Sequence, residues 1–280
     1  MKVGFVGAGK VGCSLGKHFC VNGIKLSGYY SQSMESAVDA ADFTKSNYFS
    51  NLDSLIEESD VIFITVCDDA IATVWDNIKQ LPIAGKLICH CSGSLSSKIF
   101  SGIENTEAYG FSVHPLLAVS DRYNSYQELP NALFTIEGER AHLPALKELL
   151  ESTGLLVGEI NPDEKTRYHG AAVFASNLVV SLMATAMDEF QKCGLSSELL
   201  QKALEALVLG NAKKVLSNGP EAALTGPIER NDVGTVINHM NQLSGLNEDI
   251  YRTLSKKALE IGAKKHPDYD YCKLEEVLNT

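Results

Sequence analysis

From residue 2 to residue 160, short apolar runs alternate with stretches in which apolar residues recur every three or four positions. The runs predict strands at Lys2–Val6, Lys25–Tyr30, Asn47–Phe49, Val61–Val66, Lys86–Cys91, Ala108–Val113, Ala132–Glu137 and Leu155–Ile160. The helical periodicity falls on Lys10–Asn22, Met34–Phe43, Ala70–Leu81 and Leu143–Ser152, with Asp68 or Asp69 as the cap of the third. "VIFITV" from Val61 is apolar without interruption, as a parallel strand buried on both faces must be. Strand, helix, strand at this spacing predicts an α/β, doubly wound parallel sheet.

After Pro162 the period of two disappears. Helical patterns cover Asp163–Cys193, Ser197–Leu216, Asp232–Leu243 and Asn247–Lys264, with Gly194 and Gly245 as stops and Asp232 as an N-cap. The reading is therefore an α/β domain over residues 1–160 followed by an all-helical domain over 161–280. One segment stands apart. Gly170–Met187 carries no charge and approaches membrane-spanning length, but Ser176, Asn177, Ser181 and Thr185 interrupt it. The expectation is a buried central helix rather than a membrane span.

Length and composition narrow the function. A chain of 280 residues holds two domains of ordinary size. A formal net charge of −11 argues against nucleic acid or an anionic membrane as partner. Seven cysteines without a CxxC pair suit reduced thiols in a cytoplasmic protein. Cys89, His90 and Cys91 do not make a metal site on a strand, because the cysteines face one way and the histidine the other. The N-terminal apolar run is broken at once by glycines, unlike a secretion signal.

"VGFVGAGKVG" places Gly7, Gly9 and Gly12 in a G-x-G-x-x-G frame between a strand and a helix. Gly7 serves the tight turn, Gly9 the approach of a pyrophosphate and Gly12 the packing of helix on strand, with Ala8, Lys10 and Val11 completing the loop. A phosphate would sit at the positive end of that helix. The bland alternative is a plain strand–helix turn. The second strand ends in Tyr30, Ser31, Gln32 and Ser33. No carboxylate stands there to bind a ribose 2′-OH or to repel a 2′-phosphate, which favours NADP over NAD.

Ligands of such sheets lie beyond the carboxyl ends of the strands. Val66, Cys67, Ser92, Gly93 and His114 occupy such ends. Ser92 and Gly93 fall where a nicotinamide is expected, and His114 where a substrate is. On the long helix Lys165, His169, Val173 and Asn177 are spaced by four and share a stripe, about 6 Å per step. An imidazole suits proton transfer to a carbonyl reduced by hydride. Asn177 could donate to the same oxygen, and Lys165 could neutralise a carboxylate or act as the acid. The alternative is that His169 and Asn177 are satisfied core residues.

"VGFVGAGKVG", "ITVCDDAI", "HCSGSLSS", "SVHPLLAVSD", "YHGAAVFASN" and "LTGPIERNDVGTV" occur in this order. Together they resemble the Rossmann-like proteins whose C-terminal helical domain is of unknown function. These are similar in plan to 6-phosphogluconate dehydrogenase, β-hydroxyacid dehydrogenases, ketopantoate reductase and pyrroline-5-carboxylate reductase. The resemblance implies a cofactor on the first domain, a substrate in the cleft beneath the helical one, and a homodimer formed by the helices. The β-hydroxyacid branch has a catalytic Lys followed one turn later by Asn; here Lys165 is followed by His169. Gln32 stands where the subgroup has Arg in "SRS". In "ALTGPIERND", Thr225 lies in a rigid turn, and Arg230 could bind a substrate carboxylate or phosphate. The leading expectation is an NADP-dependent oxidoreductase acting on a small, anionic substrate, with His169 as acid/base and Asn177 and His114 orienting. The second is a non-catalytic dinucleotide-binding sensor or scaffold.

Overall fold

The computed structural model describes residues 1–280. The first unit contains β1 (Lys2–Val6), α1 (Lys10–Val21), β2 (Lys25–Tyr30), α2 (Met34–Thr44), β3 (Asn47–Tyr48), α3 (Leu52–Glu57), β4 (Val61–Ile64) and α4 (Asp68–Ile78). It continues through β5 (Leu87–His90), β6 (Tyr109–Pro115), β7 (Leu133–Gly138), α5 (Leu143–Glu151), β8 (Leu156–Glu159) and α6 (Lys165–Ala175). The sheet order is β3-β2-β1-β4-β5-β6-β7-β8. The order reverses at β1, so the β1/β4 edge is the topological switch point where such sheets bind ligands.

Six of the eight strands, β1–β6, run parallel as the patterns predict, but β7 meets β6 antiparallel and β8 runs alongside β7, so the sheet is mostly rather than wholly parallel. A parallel return needs a crossover, usually a helix. The connection from β6 to β7 holds only two 3-10 turns, Ser125–Gln127 and Leu129–Asn131. The apolar strands explain themselves: one face packs Phe5, Phe63, Phe111 and Phe134 into a core with Phe19 and Tyr29. The other packs Ile62, Ile64 and Ile88 against Ile71, Trp75 and Phe100. Cys89 and Cys91 join the first core, while His90 stands against Phe100 on the opposite face, ring centroids 5.4 Å apart.

Compact packing divides the chain into Met1–Ser176 and Asn177–Thr280. The sheet ends at Glu159, but the first unit continues through α6 because Lys165 is anchored in it. The second unit comprises α7 (Asn177–Lys192), α8 (Ser197–Leu204), α9 (Gly210–Ala223), α10 (Val233–Gln242), α11 (Leu246–Lys265) and α12 (Cys272–Asn279). A π turn, Glu205–Leu209, joins α8 to α9, and Ile228, Val236, Tyr271, Leu274 and Leu278 form the buried core. Asp232 caps α10 as predicted, accepting from the Thr235 N–H at 3.1 Å.

Three expectations are corrected. The helix predicted over Asp163–Cys193 is interrupted at Ser176, whose φ of −126° and ψ of −82° leave the helical region. The apolar run is not a buried central helix: no residue of α7 is buried, and Phe174 and Val180 are 71% and 69% exposed. Residues 162–192 remain long and apolar enough to cross a membrane by length and composition alone. No residue of the run joins any of the three buried cores. Finally, neither Asp68 nor Asp69 caps α4. Cys67 holds the cap position without a side-chain bond, and both aspartates lie in the first turn.

Candidate functional site

The glycine loop follows from sterics. Gly7 has a φ of +106°, and a Cβ there would come within 2.9 Å of the Thr65 backbone. A Cβ on Gly12 would lie 2.6 Å from the Gly7 carbonyl oxygen and 2.4 Å from the Thr65 hydroxyl. Thr65 Oγ1 in turn donates to the Gly7 carbonyl at 2.8 Å. Gly9 is different: a Cβ there would meet nothing within 4 Å. Its freedom is used by no protein neighbour, and it heads α1 without a side-chain cap. That is the arrangement that leaves helix N–H groups to a phosphate. Ala8 is buried and Lys10 exposed in the same loop, with Val11 half-buried.

Beside the loop, a cavity of about 540 Å³ is lined by Gly7, Tyr30, Ser31, Gln32, Val66 and Cys67 among others. These six predicted cofactor residues thus meet around one space, of a size for the adenosine end of a dinucleotide. Ser33 does not line it; its hydroxyl caps α2 by accepting from the Ser36 N–H at 3.2 Å. The open glycine, the cavity and the carboxylate-free strand end fit a dinucleotide.

The second cluster lies at the carboxyl ends of β5 and β6 and on α6. Ser92 Oγ donates to Asp68 at 2.7 Å and accepts from the Ser94 and Leu95 N–H groups. Ser94 Oγ donates to the same Asp68 oxygen at 2.8 Å. These bonds fix the turn that carries Gly93. A Cβ on Gly93 would stand 2.6 Å from His169 Nδ1 and 2.8 Å from His114 Nε2, so only glycine fits between the two imidazoles. The rings lie 6.3 Å apart at 79°. His114 Nδ1 pairs with the Tyr168 hydroxyl at 2.9 Å, whereas His169 Nδ1 is buried without a hydrogen bond.

Beneath the histidines runs a buried polar row. His90, Ser112 and Glu137 are register partners across β5, β6 and β7, and all are buried. Register partners share a face of the sheet. Lys165, 1% exposed, descends from α6 and donates from Nζ to Ser112 Oγ at 2.7 Å. Glu137 accepts from the Ser97 N–H and hydroxyl at 2.7 and 2.6 Å. Burial pulls the Lys165 ammonium down to about 8, against the opposing attraction of Glu137. Burial, reinforced by the Lys165 charge, brings His114 down to about 4. Burial likewise brings His90 down to about 4. His114 and His90 are therefore neutral near pH 7.

Of the predicted residues, Ser92, Gly93, His114, Lys165 and His169 converge. Asn177 opens α7 beyond the break at Ser176, in the second unit. Thr225 and Arg230 also lie in the second unit, both exposed. Their loop is tied to the C-terminal segment by Glu229, which accepts from Lys265 and His266, and by Asn231 Nδ2, which donates to the Asp270 carbonyl. Sequence reasoning missed Tyr168, Ser112, Glu137 and Asp68. Tyr168 and Asp68 adjoin residues already singled out; Ser112 and Glu137 could be found only from strand register.

Residues 1–115 match the Rossmann-like domain, and residues 132–258 match a domain of unknown function, DUF2520. The chain is a Rossmann-like protein carrying a C-terminal DUF2520 domain. Its fold resembles that of protein TM1727 from Thermotoga maritima (25% identity, TM-score 0.74), covering 94% of this chain and 99% of that one. It also resembles BF3122 from Bacteroides fragilis, provisionally described as an NADP oxidoreductase (22%, TM-score 0.72, 92% and 98% covered). A third likeness is to pyrroline carboxylate reductase from Plasmodium falciparum with NADP bound (19%, TM-score 0.60, 94% and 98% covered). No functionally curated protein matches the sequence.

Proposed function

We propose that the protein is an NADP-dependent oxidoreductase that passes hydride between the nicotinamide and a small substrate held against His114, Tyr168 and His169. The observation that carries the reading is the closure of His114 and His169 on Gly93 at the carboxyl end of the sheet, with Lys165 beneath. Structural likenesses to reductases described with NADP or NADPH support the cofactor. Gly7, Gly9 and the helix behind them would hold the pyrophosphate, and Tyr30, Ser31 and Gln32 the adenosine ribose. A nicotinamide, when bound, supplies the hydride acceptor or donor.

The chain's own groups would shape the rest. Asp68 holds the Ser92–Ser94 turn, and Gly93 leaves the flat face that an approaching ring needs. Lys165 places positive charge beneath the cluster. Arg230, exposed on its loop, is the group offered to an anionic substrate, with Thr225 in the same turn. The exposed apolar residues of α7 fit a homodimer in which a second copy covers them, and reduced cysteines fit the cytoplasm.

The test is to incubate the protein with NADPH and a panel of keto acids, aldehydes and cyclic imines, and to follow nicotinamide absorbance. Turnover with one class, lost in His169→Ala, supports the reading. Tight NADPH binding without turnover of any class overturns it in favour of a dinucleotide sensor.

A further inference from the structure

The site holds four groups able to move a proton, and their geometry separates them. Lys165 is buried under the sheet face with Nζ committed to Ser112 Oγ at 2.7 Å. His169 turns Nδ1 onto the Gly93 backbone, so close that a single Cβ would fill the gap. His114 turns Nε2 onto the same glycine and gives Nδ1 to Tyr168. Tyr168, half-buried like both histidines, carries a hydroxyl that is both donor and acceptor: its oxygen meets His114 Nδ1 at 2.9 Å and the group also interacts with Thr135, and it is the one hydroxyl placed beside the two imidazoles. The Lys165 ammonium stands 5.5 Å from the centre of the Tyr168 ring, where its charge favours a phenolate.

We propose that Tyr168 is the proton donor of the reaction and that His114 positions and reloads it. This rests on the oxidoreductase reading above and assigns the acid within it. In the reductive direction the substrate carbon receives hydride, and the pair of electrons of its C=O or C=N bond moves to the heteroatom. That atom takes the Tyr168 hydroxyl proton, leaving the O–H electrons on the phenolate. His114 passes its Nδ1 proton to the phenolate and takes one from solvent on Nε2. The net consumption is one hydride and one proton per substrate. Burial raises the Tyr168 hydroxyl above its ordinary value of 10, so the resting residue is protonated and acts as a donor. The neutral His114 can hold its single proton on Nδ1 toward Tyr168, leaving Nε2 bare against Gly93.

Two experiments on the full-length chain decide it. The first uses whichever panel compound wild type reduces with NADPH. Tyr168→Phe is expected to lower kcat about 100-fold or more while NADPH binding stays within threefold. Retention of more than a third of kcat overturns the assignment. The second needs no activity. Tyr168 ionisation is read as the difference in alkaline ultraviolet titration between wild type and Tyr168→Phe. His114→Phe should move that ionisation to higher pH by removing the donor to the phenolate. His114→Asn, which restores a donor, should bring it back. An ionisation unmoved by His114→Phe overturns the pairing. If wild type turns over nothing, the oxidoreductase reading fails by itself, and the titration still decides whether His114 and Tyr168 act as a donor pair.

Discussion

His114 and His169, fifty-odd residues apart in sequence, stand at 79° with ring centroids 6.3 Å apart and Gly93 closing the space between them. One ring comes from the end of β6 and the other from α6. Neither could approach the β5 turn so closely if that turn bore a side chain.

Gly93→Ala should therefore damage the site more than the fold. The added methyl meets two nitrogens below 3.0 Å, and overpacking of this kind costs about 1–3 kcal/mol. A displacement of about 1 Å at a reacting centre costs about 100-fold in rate. The expected result is a modestly less stable protein with turnover reduced about 100-fold and NADPH affinity within a few-fold of wild type. Denaturant titration and NADPH binding, run side by side, check both parts.

The buried histidines predict acid sensitivity. The ordinary value of 6.5 falls to about 4 for His90 and His114, and His18 is also lowered by burial. Between pH 6.5 and 4 the unfolded chain binds protons that the folded chain refuses, so stability falls as pH falls through this window. His90 and His114 each account for about 3 kcal/mol of that loss. Denaturant unfolding across the window should show the slope, and His114→Phe should flatten it. An unchanged slope in the variant contradicts the burial of a neutral imidazole.

Lys165 predicts a slope of the same sign at high pH. Its folded value of about 8 lies below the ordinary 10.5. Above pH 8 the folded chain releases a proton that the unfolded chain keeps until about 10.5, so this residue's contribution rises with pH, by about 3 kcal/mol in all. Lys165→Met should be at least as stable as wild type at pH 7 and should lack this rise. Unfolding curves at pH 7, 8.5 and 10 for the pair measure it.

Gln32 predicts a cofactor preference open to improvement. An exposed amide stands at the end of β2 in a cavity whose lining includes Asp53 but no Lys or Arg. Gln32→Arg should tighten NADPH binding relative to NADH by about 10-fold or more, since hydrogen bonds to charged groups contribute about 1.5–3 kcal/mol. Equal effects on both cofactors would place the 2′-phosphate elsewhere.

The sheet was legible because its strands bury both faces, and continuous apolar runs follow from that alone. The glycine loop was legible because three backbone requirements fall at fixed spacing. The Lys165–His169 step was legible from helical period, but the same period failed to carry through to Asn177 because Ser176 breaks the helix. Ser112 and Glu137 were hidden because they act through register between strands that turned out antiparallel. The apolar run misled because hydrophobicity states that a face needs covering and not what covers it.

The central claim places a nicotinamide against the Gly93 turn, and a crystal structure of the protein grown with NADPH tests it most directly. The account predicts the nicotinamide C4 carbon within about 4 Å of the Gly93 Cα, with the Tyr168 hydroxyl facing the substrate side of the ring. A cofactor whose adenosine is ordered beside Tyr30 and Gln32 but whose nicotinamide lies away from Gly93, His114 and His169 would contradict it.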